Sequence, residues 1–207
     1  MKGLFEKDKF WKAKERSLQD ILQKWIAAQE TYASKVEGDY SWNYRERSCI
    51  GFLAAATWLA EGVALEEWRT EKQREGGTGY GRCDLWIRHN GQEYFIEAKH
   101  DHVTFRSGKH RNSGKVRQIK KRLRAATNDA KKHIVKCESS VKRLGVLFIG
   151  TKFRSKNSKS LLEQRATWLK KLNWIPHTAI AWLFLKPQSS EKKVWESRGI
   201  IMLAREI

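Results

Sequence analysis

No apolar run in this chain approaches the roughly 18–20 residues of a bilayer-spanning helix. The longest candidate, Ile50 to Leu59, is too short and rich in alanine, so no membrane partner is expected. Charges at Lys2, Glu6, Lys7, Asp8 and Lys9 break up the first residues, which argues against a secretory apolar region there. Cysteine is scarce: Cys49, Cys83 and Cys137 are widely spaced, odd in number and without a CxxC pair. Neither a disulfide framework nor a zinc knuckle fits that pattern, and a cytoplasmic, reducing location is the expectation. Internal repeats and domain-dividing linkers are also missing. Acid is the remaining shortage, with 23 Asp and Glu against 42 Lys and Arg, a net charge of +19. A field of that sign attracts polyanions. Nucleic acid is the favoured partner, although ribosomal or membrane-surface binding would produce a similar total.

What the chain does have is 40% apolar residues and ten tryptophans in 207 positions, enough to bury a substantial core as one α/β domain. Its most informative stretch is residues 81–100. Asn90-Gly91 lies between two alternating runs, the strongest short hairpin signal, because a type I′ turn needs φ > 0 at both central residues. A two-residue loop there makes Ile87 face Tyr94, Leu85 face Ile96 and Asp84 face Glu97. Leu85, Ile87, Tyr94, Ile96 and Ala98 then form a core face, and Asp84, Trp86, Phe95, Glu97 and Lys99 share the other. Directly opposed side chains sit about 4.5–5.5 Å apart at Cβ, so two acids there need a positive partner. A carboxylate pair beside the Lys99 amine has the character of a divalent-metal site. A one-residue slip would separate Asp84 from Glu97 onto opposite faces.

Periodicity predicts a helix over 10–35, a break at Gly38-Asp39, and a second helix N-capped by Asn43 that ends near Gly62. A strand over 63–73, a glycine-rich turn over Gly76 to Gly81 and the hairpin follow. Residues 101–114 read as a loop and 115–136 as a basic helix with Val116, Ile119, Leu123, Ala126 and Ala130 as its apolar stripe. Leu144 to Gly150 is expected as a strand, Leu161 to Leu172 as a helix, and Ala179 to Leu185 and Ile200 to Ala204 as strands. From Arg106 to Lys136 the only acid is Asp129. A solvated helix face normally mixes both signs, so this segment reads as a phosphate-binding surface. Its candidate contacts are Lys109, Arg111, Lys115, Arg117, Gln118, Lys120, Lys121 and Arg124.

Asp84, twelve intervening residues and then Glu97-Ala98-Lys99, on the last two strands of a meander that follows a helix, resembles the PD-(D/E)xK nuclease superfamily. The resemblance covers about residues 43–150; residues 1–40 would be a helical extension and 151–207 a C-terminal helix and strands. The tripeptide alone is not specific, since Asp129-Ala130-Lys131 and Glu191-Lys192-Lys193 also match it. Only Glu97-Ala98-Lys99 ends an apolar strand with an acid placed opposite. The resemblance implies a restriction-endonuclease-like αβββαβ core, with a mixed central sheet flanked by helices. It implies Mg²⁺ or Mn²⁺ held by Asp84, Glu97 and the Ala98 carbonyl, with Lys99 orienting or helping to deprotonate the attacking water. Hard divalent ions prefer such oxygen ligands, and they polarise phosphate and acidify bound water. Many members add a Glu on the preceding helix; Glu46 matches by order, as a ligand direct or through water, or else as the acidic half of a capping box. The Gln followed by Tyr four residues on, used by some branches, is replaced by Gln118 and Arg122, and the proline of the family's name by Cys83.

Rival readings are plain. Glu97, Lys99 and Arg82 near Asp84 also read as an exposed cross-strand cluster worth about 0–1 kcal/mol. His100-Asp101-His102 could chelate zinc, but no second ligand cluster has matching spacing. The Gly76–Gly81 stretch lies between strands and lacks the Lys-Ser/Thr of a phosphate loop. Trp42, Trp58, Trp68 and Trp86 read as core or half-buried groups. Two functions are carried forward: a Mg²⁺-dependent deoxyribonuclease, of endonuclease type and with DNA favoured over RNA, and a nucleic-acid-binding protein that does not cut. A homodimer is compatible with either.

Overall fold

A computed structural model of the chain describes residues 9–13, 15–106, 113–134, 141–155, 158–186, 188–189 and 195–207. Among these, the elements run β1 (Lys9–Ala13), α1 (Arg16–Lys35), α2 (Arg45–Leu59), β2 (Val63–Arg74), β3 (Gly77–His89) and β4 (Gln92–Arg106). They continue with α3 (Ser113–Lys131), β5 (Lys142–Ser155), α4 (Ser158–Leu172), β6 (Ala179–Phe184), β7 (Gln188–Ser189) and β8 (Trp195–Glu206). The strands form one sheet in the order β1-β6-β8-β5-β4-β3-β2, with β7 on β8. Only β4 and β5 pair in parallel, so the sheet is mixed and the fold is α/β. No helix among the described residues is long and apolar enough to cross a membrane.

Helices cover both faces, and the alternation along β5 shows why. Leu144, Val146 and Phe148 pack with α1 and α2 residues such as Leu22, Trp25 and Leu53. Leu147, Ile149 and Phe153 pack with Ile119 and Leu123 of α3 and Leu161 and Trp168 of α4. A central strand buried on both faces reads as a continuous apolar run, which is how residues 144–150 read in the sequence. Gly145 lets α3 approach: a Cβ there would lie 2.3 Å from the Thr127 backbone nitrogen.

The hairpin has the expected register. Asn90 and Gly91 have φ of +49° and +75°, and Leu85 pairs with Ile96, Ile87 with Tyr94 and His89 with Gln92. Its five expected core residues are all buried.

Elsewhere tertiary pairing overrode local pattern. Residues 10–13 are an edge strand on β6, not helix. The turn Ser41–Tyr44 is 3-10, so Tyr44 rather than Asn43 precedes α2, and no side chain caps it; the capping-box reading of Glu46 falls with it. Asn43 instead hydrogen-bonds Asp39. Within the 76–81 stretch positive φ is confined to Gly76 and Gly77, and Gly79 and Gly81 are extended residues of β3. Lys72 lies across Gly81, where a Cβ would come within 2.8 Å of its Cδ. Residues 101–106 extend β4, because they continue its pairing with β5 out to Arg106 and Arg154; positions 107–112 lie outside the described residues. α3 stops at Lys131, and His133 bridges to Lys72 of β2. Trp58 is 55% exposed, on the outer side of α2, rather than half-buried.

Candidate active site

Asp84 stands where β3 leaves β4 and where its ladder with β2 is interrupted by one position. The β3–β4 ladder ends at Leu85–Ile96. On the other side, Glu66 pairs with Leu85 and Trp68 with Cys83, leaving Glu67 and Asp84 unpaired between them. Glu67 takes φ +54° at this point, a left-handed conformation uncommon for a residue with a side chain. The direct Asp84–Glu97 ladder pair expected from the register is therefore not formed. Instead Asp84 Oδ2 accepts the backbone N–H of Ala98 at 2.8 Å, and a side chain takes over the hydrogen bond that a strand partner would have provided. Beyond this point β4 continues on β5 alone, and a gap opens between it and the β2–β3 arm.

Four sequence-predicted groups share that gap. Glu97 is 5% exposed. Its Oε1 accepts Lys72 Nζ at 2.6 Å from β2 and lies 2.7 Å from His133 Nε2, just past α3. Burial pushes its carboxyl up, but the hydrogen bonds from His133 and Lys72 outweigh that and hold it below the ordinary value. Asp84 goes the other way: burial dominates, the Ala98 N–H opposes it, and the Glu97 charge adds to the upward shift. Glu46, in the first turn of α2, is raised by burial and by the charges of Asp84 and Glu97, against the pull of Lys99. Lys99 Nζ donates to the Ala98 carbonyl at 3.0 Å and lies 3.3 Å from Asp129 Oδ2. Burial would lower it, yet Glu46, Asp129 and Asp84 together raise it and keep it protonated.

Two donor sets meet at Glu97. The first is oxygen only: Asp84 Oδ1, Glu97 Oε2 and the Glu46 carboxylate make no hydrogen bond within the described residues. Asp84 and Glu46 are pushed toward protonation first by burial and then by neighbouring acid charge, a cost that a hard divalent cation would offset. Their chemistry fits Mg²⁺ or Mn²⁺; the Ala98 carbonyl, the fourth implied donor, is engaged by Lys99. The second set is Cys83, Glu97 and His133, all buried, with ligand atoms within 4.8 Å of one another. Sulfur, nitrogen and oxygen together are zinc-like. However, burial lifts the Cys83 thiol to about 12, and it donates to the Leu85 and Ile96 carbonyls at 3.1 and 3.3 Å. For this set to close on an ion, Cys83 would have to release its proton and Lys72 its contact with Glu97. Among the described residues this second set is the one whose three ligand atoms already lie together; Asp84, Glu97 and Glu46 have the oxygen chemistry of a hard-ion site without that closeness.

Lys72 and His133 are the residues that sequence reasoning missed. Neither lies in a motif, and only the Lys72–His133 bridge brings both to Glu97. The neighbourhood is otherwise aromatic, with Phe95 5.4 Å from the His133 ring and Trp68 stacked on Trp86 at 5.5 Å. Arg82 is not part of a cluster with Glu97 and Lys99; it pairs with Glu67. His100 and His102 meet edge to face at 4.5 Å, and burial with the neighbouring His102 lowers His100 to about 4. Asp101 gives one oxygen to the His102 backbone N–H and the other to Gln118 and Arg122, so its carboxylate is not gathered with the two rings.

The basic helix divides into two flanks. Lys115 donates to the Thr104 carbonyl at 2.5 Å and Gln118 to Asp101 at 2.6 Å, both on the β4 side. Arg117, Lys120, Lys121 and Arg124 are exposed and have no acidic partner among the described residues. Lys109 and Arg111 lie outside those residues. No protein-family model, curated protein or solved structure matches the chain, and its α2-β2-β3-β4-α3-β5 order with acids gathered at the β3–β4 parting is what identifies a site.

Proposed function

We propose that this protein is a divalent-metal-dependent nuclease, of endonuclease type, hydrolysing phosphodiester bonds of DNA on a restriction-endonuclease-like core. One observation carries the reading. The Asp84 carboxylate interrupts the ladder beside Glu97 and Lys99, and Glu46 shares their electrostatic environment. Asp84, Glu97 and Glu46 would hold Mg²⁺ or Mn²⁺, which supplies polarisation of the scissile phosphate and acidification of the attacking water. Lys99, kept protonated by its acidic neighbours, donates to a phosphate oxygen or orients the water rather than taking a proton. Asp129 holds the Lys99 amine in place. Lys72 and His133 fix the Glu97 carboxylate from the side away from its free oxygen.

The test is cleavage of plasmid and linear DNA with Mg²⁺ or Mn²⁺ and with EDTA. Wild-type protein cuts only with metal, and Glu97→Ala does not cut; cutting that survives in Glu97→Ala sinks the mechanism. A second reading, nucleic-acid binding without cleavage, has one observation in its favour: Lys72 already neutralises Glu97 at 2.6 Å. It predicts metal-independent binding and no cleavage of single-stranded, duplex or branched DNA.

A further inference from the structure

α3 faces two environments. The flank bearing Gln118, Arg122 and Asp129 is spent on protein contacts, to Asp101 and Lys99. At 3.6 residues per turn, Arg117, Lys120, Lys121, Arg124 and Lys131 fall within one sector of about 100° on another flank, beyond the buried stripe, and span roughly 21 Å. All five are exposed, and none has an acidic partner among the described residues. Other cations of the protein are paired, as Lys132 with Asp129, Lys152 with Glu196 and Arg88 with Glu93. An unpaired row of like charge repels itself; a polyanion would remove that cost.

The row overhangs a concavity. Lys120, Arg124 and Lys131 line a groove of about 320 Å³ together with Arg205 of β8 and with Ile175 and Pro176 from the connection between α4 and β6. No acid lines it. Trp174, next to Ile175, is 84% exposed. Ile175 itself is buried, so the groove floor is fixed to the core. Cations along a concave track, with an exposed indole one residue along the chain from its lining, supply the two groups that bind single strands, cations for phosphates and a ring for a base. A duplex has its bases stacked and offers none to Trp174. A planar lipid surface does not enter a recess.

We propose that this groove binds a single-stranded stretch of nucleic acid through its phosphates, with Trp174 stacking on a base, on the flank of α3 opposite the acid gap. The inference rests on the nucleic-acid part of the proposed function and narrows its substrate class to DNA with a single-stranded arm.

Fluorescence anisotropy with labelled oligothymidylate in EDTA tests it without metal or cleavage. Arg124→Glu combined with Lys131→Glu is expected to weaken binding by at least about tenfold, and to reduce the log–log salt slope by about 1.4, two contacts at roughly 0.7 each. Trp174→Ala is expected to cost about tenfold. Unchanged oligothymidylate affinity in the charge-reversed protein overturns the proposal. So does tighter binding of blunt duplex, or a variant defect seen only with phosphatidylserine vesicles. Loss of oligothymidylate binding in the groove variants supports it whether or not the wild-type protein cuts DNA, so a failed cleavage assay bears on the nuclease reading alone.

Discussion

Asp84 and Ala98 are joined side chain to backbone, Oδ2 to N–H at 2.8 Å, at the point where two strands part. The bond makes Asp84 both a strut of the sheet and a member of the acid gap. A carboxylate used in this way cannot swing clear without leaving the amide of buried Ala98 unsatisfied. Its second oxygen therefore has a fixed direction relative to Glu97 and Lys99 on the adjoining strand.

Asp84→Ala is expected to abolish metal-dependent cutting and to destabilise the fold by about 1–3 kcal/mol, the cost of orphaning a buried donor. Asp84→Asn retains a carbonyl acceptor for Ala98 and should recover most of that stability without recovering activity. Urea denaturation alongside a plasmid cleavage assay separates the two roles. Equal loss of stability in both variants would mean that the hydrogen bond does not support the sheet.

The acids should give opposite pH signatures in metal-free protein. The Glu97 carboxyl is lowered on folding, so its contribution is fully present above its ordinary value of 4.5 and is lost as pH falls through its lower folded value. Glu46 is raised, so its ionisation opposes folding at neutral pH, and the opposition fades as pH falls through its raised value. Glu46→Gln should therefore melt higher than wild type at pH 7, with the gain shrinking toward pH 4, while Glu97→Gln should flatten the acid limb of the stability curve. Thermal melts across pH 3–8 in EDTA decide it.

Metal binding should be visible without catalysis. Mg²⁺ or Mn²⁺ at a hundred times its dissociation constant stabilises a protein by about 2.7 kcal/mol, a rise of roughly 5–10 °C in melting temperature for a domain of this size. Glu46→Gln and Asp84→Asn should lose most of that rise. A metal-induced shift of the same size in both variants would place the ion elsewhere.

Lys72→Met leaves the Glu97 carboxylate buried with His133 alone. The side chains are 19% and 6% exposed, so the expected cost is roughly 2 kcal/mol, below that for breaking a fully buried pair. Its Glu97 carboxyl should titrate higher than in wild type, as measured by carbon-13 NMR of labelled glutamate. Gly145→Ala tests the packing behind the site: with Thr127 in the way, overpacking should cost about 3 kcal/mol and loosen α3 from β5. A variant as stable as wild type would show that α3 can shift freely.

The sequence by itself determined the hairpin, because its causes are local. Asn90-Gly91 demands a left-handed pair of residues, and period-two alternation then puts Leu85, Ile87, Tyr94, Ile96 and Ala98 inward and Glu97 and Lys99 together on the other face. The basic character of residues 113–131 was equally plain, but not its division into a paired flank and an unpaired one, which depends on what β4 and the α4–β6 connection place beside it. Only the tertiary structure decided how the acids are held. The β3–β4 ladder ends one pair earlier than the local pattern predicts, since Asp84 bonds to the Ala98 amide instead of simply facing Glu97. The partners of Glu97 come from 25 residues before it and 36 after. No spacing rule reaches across such separations. They follow from the β2–β3 arm leaving β4 and from the end of α3 attaching to β2 at Lys72, which brings a lysine and a histidine to one carboxylate oxygen and leaves the other free.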